Sequence, residues 1–368
     1  MSEGSNWWVR FLSAVDWSCC VSCVGVVLFG QDNQTAGVAL NAILIRREAR
    51  KMEHEDLAEY RHKVYGLYSQ GRHSEALEIA EKAYVQFRDK ISETSYWLAC
   101  LDSVLHREDR AIEILTASLD DGAWWLPKVL ETEKDLDPLR NREEFKRIVE
   151  RCREIFEEKQ RESRPERLVF CPDNFDPREK HRLIVALHWK AGNMLEFSKY
   201  WKHVLKRGYI LLVPQSSQLA GDNAYCWDDW EKGKDEVIRH IADMKEDYSL
   251  IEGGIVVAGA SQGASLGIVD LVLEDTLLDL SRFIAVVPPI DDVSFFVPLL
   301  KNGVRKGVKG YILAGERDCY TQNTEDLCSE MEKAGLPYRL TVVKGLGHDF
   351  PSDFDVYLDE ALDYVEAK

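Results

Sequence analysis

Six short apolar, β-branched runs, at 183–187, 209–213, 255–258, 283–287, 311–314 and 340–343, constrain the fold more than any other feature of the chain. A strand with one face in water alternates apolar and polar residues, whereas a strand apolar throughout must be covered on both faces. Segments with helical spacing lie between the runs, near 197–205, 230–244, 264–273, 324–334 and 354–365. Strands alternating with helices predict an α/β fold, with a mainly parallel sheet covered by helices. Right-handed crossovers then bring the carboxyl ends of the strands to one edge, where ligands collect.

The run at 255–258 leads directly into Gly259-Ala260-Ser261-Gln262-Gly263, and a helical segment with Ala264, Leu266 and Ile268 follows. A serine on a tight strand-to-helix turn is lifted off the end of a buried strand, and flanking glycines let neighbouring elements approach. Two other strand ends carry reactive groups. Gly315-Glu316-Arg317-Asp318 follows the run at 311–314, and Lys344-Gly345-Leu346-Gly347-His348-Asp349 follows the run at 340–343. Serine is a poor nucleophile until a neutral imidazole accepts its proton, and a carboxylate must hold that imidazole's tautomer. Ser261, Asp318 and His348 meet this need in the chain order Ser, Asp, His. Glu316 and Asp349 are the competing carboxylates, but Glu316 sits closer to the strand end and Asp349 adjoins the histidine it would have to fold back on.

Residues 167–366 resemble an α/β-hydrolase of the phospholipase/carboxylesterase or dienelactone-hydrolase-like branch. The motifs around Ser261, Asp318 and His348 carry the resemblance. It implies an oxyanion hole built from the backbone N–H of Gln262 and a second N–H on the loop after 183–187, here His188-Trp189-Lys190-Ala191-Gly192-Asn193. Relatives usually place glycine after that histidine; this chain has Trp189, whose N–H remains available and whose indole is expected to narrow the pocket. His188 and Trp189 are expected to bind substrate, and Trp227, with Tyr225 and Trp230, either lines the same cleft or packs at the start of the next helix. The resemblance requires no metal and no organic cofactor.

The first half of the chain has a different texture. From Asp56 to about Gln160 the spacing is helical, with Leu57, Tyr60, Val64, Leu67 and Tyr68 on one stripe and a break at Gln70-Gly71. Ser74 is the expected N-cap of the next helix. Ala76 and Ala111 open similar segments 35 residues apart, close to the roughly 34-residue period of tetratricopeptide (TPR) helix pairs, although two degenerate copies also suit a plain bundle. A third, irregular pair begins at Asp135-Leu136-Asp137-Pro138-Leu139 and continues through Phe145, Ile148, Val149, Cys152 and Ile155. The charged run 157–165, ending in proline, places a boundary between an all-α TPR-like domain at 52–163 and the catalytic domain at 164–368. Residues 1–51 read as an upstream extension of the reading frame, with the folded protein beginning at Met52 where helical periodicity starts. The alternatives are a docking extension and a weak signal or membrane anchor, although the apolar stretch 19–30 is too short to span a bilayer.

A formal charge of −17 argues against nucleic acid and anionic membranes as partners. Nine scattered cysteines, with one CxxC at Cys20 and Cys23 and no second pair, read as reduced thiols of a cytoplasmic protein rather than disulfides or a metal site. The expected activity is hydrolysis of a small-molecule carboxylic ester or thioester through a Ser-His-Asp triad, with a protein partner on the TPR-like helices. The alternatives are a prolyl-oligopeptidase-like serine peptidase, and an interaction protein whose hydrolase domain is weak or inactive.

Overall fold

The computed structural model describes residues 57–274, 278 and 280–367, so the expectations for 1–51 lie outside the described residues. Two compact units divide them: 57–123 with Thr132–Ile148, and Trp124–Glu131 with 149–367.

The first unit is helical. Helices α1 (Leu57–Ser69), α2 (His73–Gln86), α3 (Ile91–Val104) and α4 (Glu108–Asp120) run in succession. The starts of α1 and α3 are 34 residues apart, and those of α2 and α4 are 35 apart. The same turn closes α1 and α3. Gly71 has φ 72°, with the Arg72 N–H donating to Leu67 O at 2.9 Å; His106 has φ 58°, with the Arg107 N–H donating to Asp102 O at 2.8 Å. Such a left-handed residue satisfies the last carbonyls of a helix and turns the chain back. Ala76, Ala80, Ala83 and Ala111 are fully buried, and their small size lets the helices approach. Ser74 is not the cap that its residue type suggests. Helix α2 already begins at His73, behind the left-handed turn, and its start carries an Arg72–Glu75 ion pair at 2.6 Å. Asp135 to Leu139 lie in a short 3-10 helix, Lys134–Leu139, whose Asp135 N–H is accepted by the Glu133 side chain.

Helices α5 (Pro127–Thr132) and α6 (Glu143–Glu162) follow. The compact division falls between Ile148 and Val149, not in the charged run ending at Pro165. Specific anchors explain the difference. The Gln160 side chain donates to Ser217 O at 2.7 Å and accepts from the Leu219 N–H at 2.9 Å, and Trp124 Nε1 donates to Asp222 Oδ1 at 3.2 Å. These bonds tie the end of α6 and the Trp124 segment into the second unit.

That unit is built on a seven-stranded sheet. In chain order its elements are β1 (Glu166–Phe170), β2 (His181–Leu187), α7 (Met194–Trp201), β3 (Tyr209–Gln215), a small hairpin β4 (Gln218–Gly221) and β5 (Ala224–Cys226), then α8 (Trp230–Asp247) and β6 (Leu250–Ala260). There follow α9 (Gln262–Leu266), a π-helical segment Gly267–Leu273, β7 (Arg282–Val286), α10 (Val297–Arg305), β8 (Lys309–Gly315), α11 (Thr321–Ala334), β9 (Tyr338–Val343) and α12 (Phe354–Glu366). The strand order is β1-β3-β2-β6-β7-β8-β9; β1 is antiparallel to β3 and every other pairing is parallel. This mostly parallel, helix-covered sheet matches an α/β-hydrolase fold.

Two apolar clusters cover its faces. Leu183, Val185, Leu187, Ile210, Leu212 and Val257 belong to one, whereas Ile184, Ala186, Leu211, Val213, Val256 and Ala258 belong to the other. Successive residues of β2, β3 and β6 thus bury on opposite sides, which is why their runs are apolar throughout; β9, at the sheet edge, is instead part-buried, with Val342 39% exposed. Register levels the strand ends, with Leu187 beside Gly259, Ala260 beside Val286, and Gly315 beside Val343. The loops that follow therefore leave from one edge. At the opposite edge the chain turns into β8 and β9 at Gly307 and Gly335, each with positive φ (67° and 78°) and open space around it. No described helix is long and apolar enough to cross a membrane.

Small side chains hold the helical unit together, so size is the quantity to perturb. Ala76→Leu or Ala111→Leu is expected to cost about 1–3 kcal/mol, read as a lower urea midpoint of the full chain. Val85→Ala, at a position 74% exposed, is expected to stay within about 0.5 kcal/mol of wild type.

Candidate active site

Ser261 sits on the turn between β6 and α9 with φ 50° and ψ −126°, a backbone conformation sparsely populated by residues other than glycine. Its surroundings hold it there. The Ser261 N–H donates to Val286 O at 3.0 Å, while Ser261 O accepts from the N–H groups of Ala264 and Ser265 at 2.9 and 3.2 Å. A Cβ at Gly263 would overlap Leu187 O and lie 2.5 Å from His188 O; a Cβ at Gly259 would lie 2.7 Å from the Gly263 carbonyl. Both glycines of the motif are therefore required by backbone packed on backbone, not by flexibility.

His348 connects the serine to a carboxylate. Its Nε2 lies 2.8 Å from Ser261 Oγ and its Nδ1 lies 2.8 Å from Asp318 Oδ2. A carboxylate accepts, so Nδ1 carries the proton and the Nε2 lone pair faces the serine hydroxyl. Asp318 is 6% exposed, and its second oxygen accepts from the Tyr320 N–H at 3.1 Å. The Tyr320 ring stands 5.5 Å from the imidazole. The rival carboxylates point elsewhere: Glu316 Oε2 accepts from the Gly345 N–H at 2.8 Å, and Asp349 Oδ1 from the Phe350 N–H at 2.7 Å. The two loops are laced together by the Arg317 N–H on Leu346 O at 2.8 Å. A Cβ at Gly315 would overlap the carbonyl oxygens of Leu346 and Gly347, so this junction too is backbone on backbone.

The N–H groups of Trp189 and Gln262 donate to no protein acceptor among the described residues. The Trp189 indole packs edge-on against Phe197 at 5.1 Å, Tyr200 at 5.6 Å and Phe350 at 6.2 Å. It is therefore held in an aromatic cluster, half-buried. His188 and Trp227 are fully buried and stacked on each other at 4.7 Å. Trp227 Nε1 donates to His188 O at 2.9 Å, and His188 Nδ1 is 2.8 Å from Trp189 O. With no surface to offer, these two side chains cannot touch a substrate as the sequence suggests; they fix the loop that carries Trp189. Burial lowers the His188 pKa from 6.5 to about 4, despite the Trp189 carbonyl, so the ring is neutral.

Lys190 and Asp228 were absent from the sequence expectations. Lys190 Nζ lies 2.7 and 3.0 Å from the two oxygens of Asp228, and Gln262 Nε2 donates to Asp228 Oδ1 at 2.8 Å. The one signal for them in the chain is adjacency, Lys190 to Trp189 and Asp228 to Trp227.

A family model described as "A/B hydrolase-like, N-terminal domain" matches residues 59–160. A search of curated proteins finds no match. Among solved structures, an uncharacterized protein from Bacillus cereus is 26% identical, with 84% of this chain and 98% of that chain covered and a TM-score of 0.48. The esterase PE8 is 15% identical over 54% of this chain and 99% of its own, with a TM-score of 0.44. A thermophilic esterase from the Planctomycetes species Thermogutta terrifontis is 17% identical over 55% and 92%, with a TM-score of 0.42.

The neutral, buried His188 makes stability depend on pH. Its folded pKa lies below its unfolded value, so the unfolded chain binds the extra proton; the stabilisation is complete above about 6.5 and is lost as pH falls towards about 4. The shift corresponds to roughly 3 kcal/mol. Urea midpoints between pH 7 and pH 4.5 should therefore fall less steeply in His188→Gln than in wild type.

Proposed function

We propose that the protein is a serine hydrolase of the α/β-hydrolase type, acting on carboxylic ester or thioester bonds. The observation that carries this reading is the hydrogen-bonded chain from Ser261 through His348 to Asp318, with both contacts at 2.8 Å. His348 Nε2 takes the hydroxyl proton as Ser261 Oγ attacks the carbonyl carbon. The N–H groups of Gln262 and Trp189 stabilise the oxyanion, and Asp318 stabilises the imidazolium. His348 then gives its proton to the leaving alcohol or thiol, leaving an acyl-enzyme. Water enters, His348 removes its proton, and collapse of the second tetrahedral adduct frees the acid and Ser261. The strained Ser261 backbone supports this role, because such strain persists where surrounding structure imposes it.

We further propose that the helical unit is a TPR-like module that takes a protein partner. The 34- and 35-residue spacing of its helices and the matching turns at Gly71 and His106 support that reading. The described cysteines Cys100, Cys152, Cys171, Cys226 and Cys328 are free, as a protein of the cytoplasm would have them.

Fluorophosphonate labelling of the full chain tests the enzyme assignment. Wild type is expected to be labelled and Ser261→Ala not. On p-nitrophenyl acetate or an acyl thioester, His348→Ala and Asp318→Asn are each expected to lower kcat by about 10³ to 10⁴-fold with folding intact. Absence of label on folded wild type would remove the assignment, and a preference for peptide anilides over esters would move it to a peptidase.

A further inference from the structure

The two N–H groups assigned to the oxyanion come from separate strand ends, Trp189 after β2 and Gln262 after β6. Their spacing decides how well both reach one oxygen, and such donors must be placed before the charge develops. The stretch 225–228 is bonded to both sides. On the β2 side the Tyr225 N–H donates to Gly192 O at 2.9 Å, and Trp227 Nε1 donates to His188 O at 2.9 Å. On the β6 side the Trp227 N–H donates to Gln262 Oε1 at 2.9 Å. Asp228 then closes the gap, taking Gln262 Nε2 at 2.8 Å on the same Oδ1 that meets Lys190 Nζ at 2.7 Å.

We infer that Asp228 is a positioning residue: by holding Lys190 and Gln262 together it sets the separation of the Trp189 and Gln262 N–H donors. The inference rests on the serine-hydrolase reading and adds to it the part that tunes its oxyanion site. Among the described residues Asp228 bonds Lys190 and Gln262 and not Ser261, His348 or Asp318, so its effect on the reaction runs through the donors. Partial burial would raise its pKa, but the bonds from Lys190 and Gln262 outweigh that and hold it below the usual carboxylate range. The carboxylate is thus charged through the neutral range. The Asp228 and Lys190 side chains are 55% and 37% exposed, so salt screens the pair and it adds little to global stability. Placement, not stability, is what it controls.

The test compares wild type, Asp228→Asn, Lys190→Met and the double variant of the full chain on an activated ester, with thermal unfolding measured alongside. Each single change is expected to lower kcat about tenfold while KM stays within about twofold, because the donors act mainly in the transition state. The double variant is expected to be no worse than either single one, since all three break the same clasp. Raising the salt to about 1 M is expected to bring wild type towards the variants and leave Asp228→Asn unmoved. Unchanged kcat, additive losses, or a kcat loss that tracks a fall in Tm would overturn the inference. Ser261-dependent labelling of wild type is scored in the same experiment: if it is present and Asp228→Asn is fully active, only the positioning role falls. If wild type is unlabelled, the hydrolase reading falls and the positioning role with it.

Discussion

Beneath Ser261, main chain rests directly on main chain. Gly263 lies so close to the carbonyls of Leu187 and His188, and Gly259 so close to Gly263 itself, that neither position has room for a methyl group. This contact sets the turn that strains Ser261 and joins the end of β6 to the loop carrying Trp189. It also explains why the motif needs glycine twice while Ala260 between them tolerates a side chain buried in the core. Everything reactive is referenced to this junction, since the serine, its following N–H and the β2 loop all move with it. The cost of the strained serine, of order 1–3 kcal/mol, is offset by the packed strands on either side.

A second backbone junction does for the acid and base what the first does for the nucleophile. Gly315 meets Leu346 and Gly347 without space for a side chain, so Asp318 and His348 are carried on loops that cannot slide past one another. Three carboxylates lie within reach of that junction in the chain, yet each has a distinct duty. Asp318 receives the imidazole, Glu316 caps the Gly345 N–H, and Asp349 caps the Phe350 N–H. Local hydrogen bonds thus sort identical functional groups into one partner of a base and two pins of a loop.

Much of this was legible from spacing. The six runs became six mutually parallel strands: burial on both faces leaves no polar position in the inner ones, whereas the edge strand β9 is part-buried and keeps Thr341. Ser261, Asp318 and His348 lie on the loops after three of them. The strands that escaped notice were those without that signature. β1 is a part-buried antiparallel edge strand reading Glu-Arg-Leu-Val-Phe, and β4 and β5 are only four and three residues long. The surroundings of His188 and Trp227 are not legible in the sequence, for a physical reason. An aromatic pair beside a cleft looks the same in a sequence whether it faces the cleft or stacks beneath it, and only the fold buries it. Asp228 and Lys190 were invisible because an ion pair joining positions 38 residues apart leaves no periodic trace.

The levelled register of the sheet has one more consequence. All the chemistry leaves from the carboxyl edge, which makes the other edge mechanically mute. There Gly307 and Gly335 have left-handed backbones with open space where a side chain would stand, and no residue of the triad lies on either turn. A chain built this way can be spliced, tagged or tethered to a surface at those two turns with its working rim left facing solution.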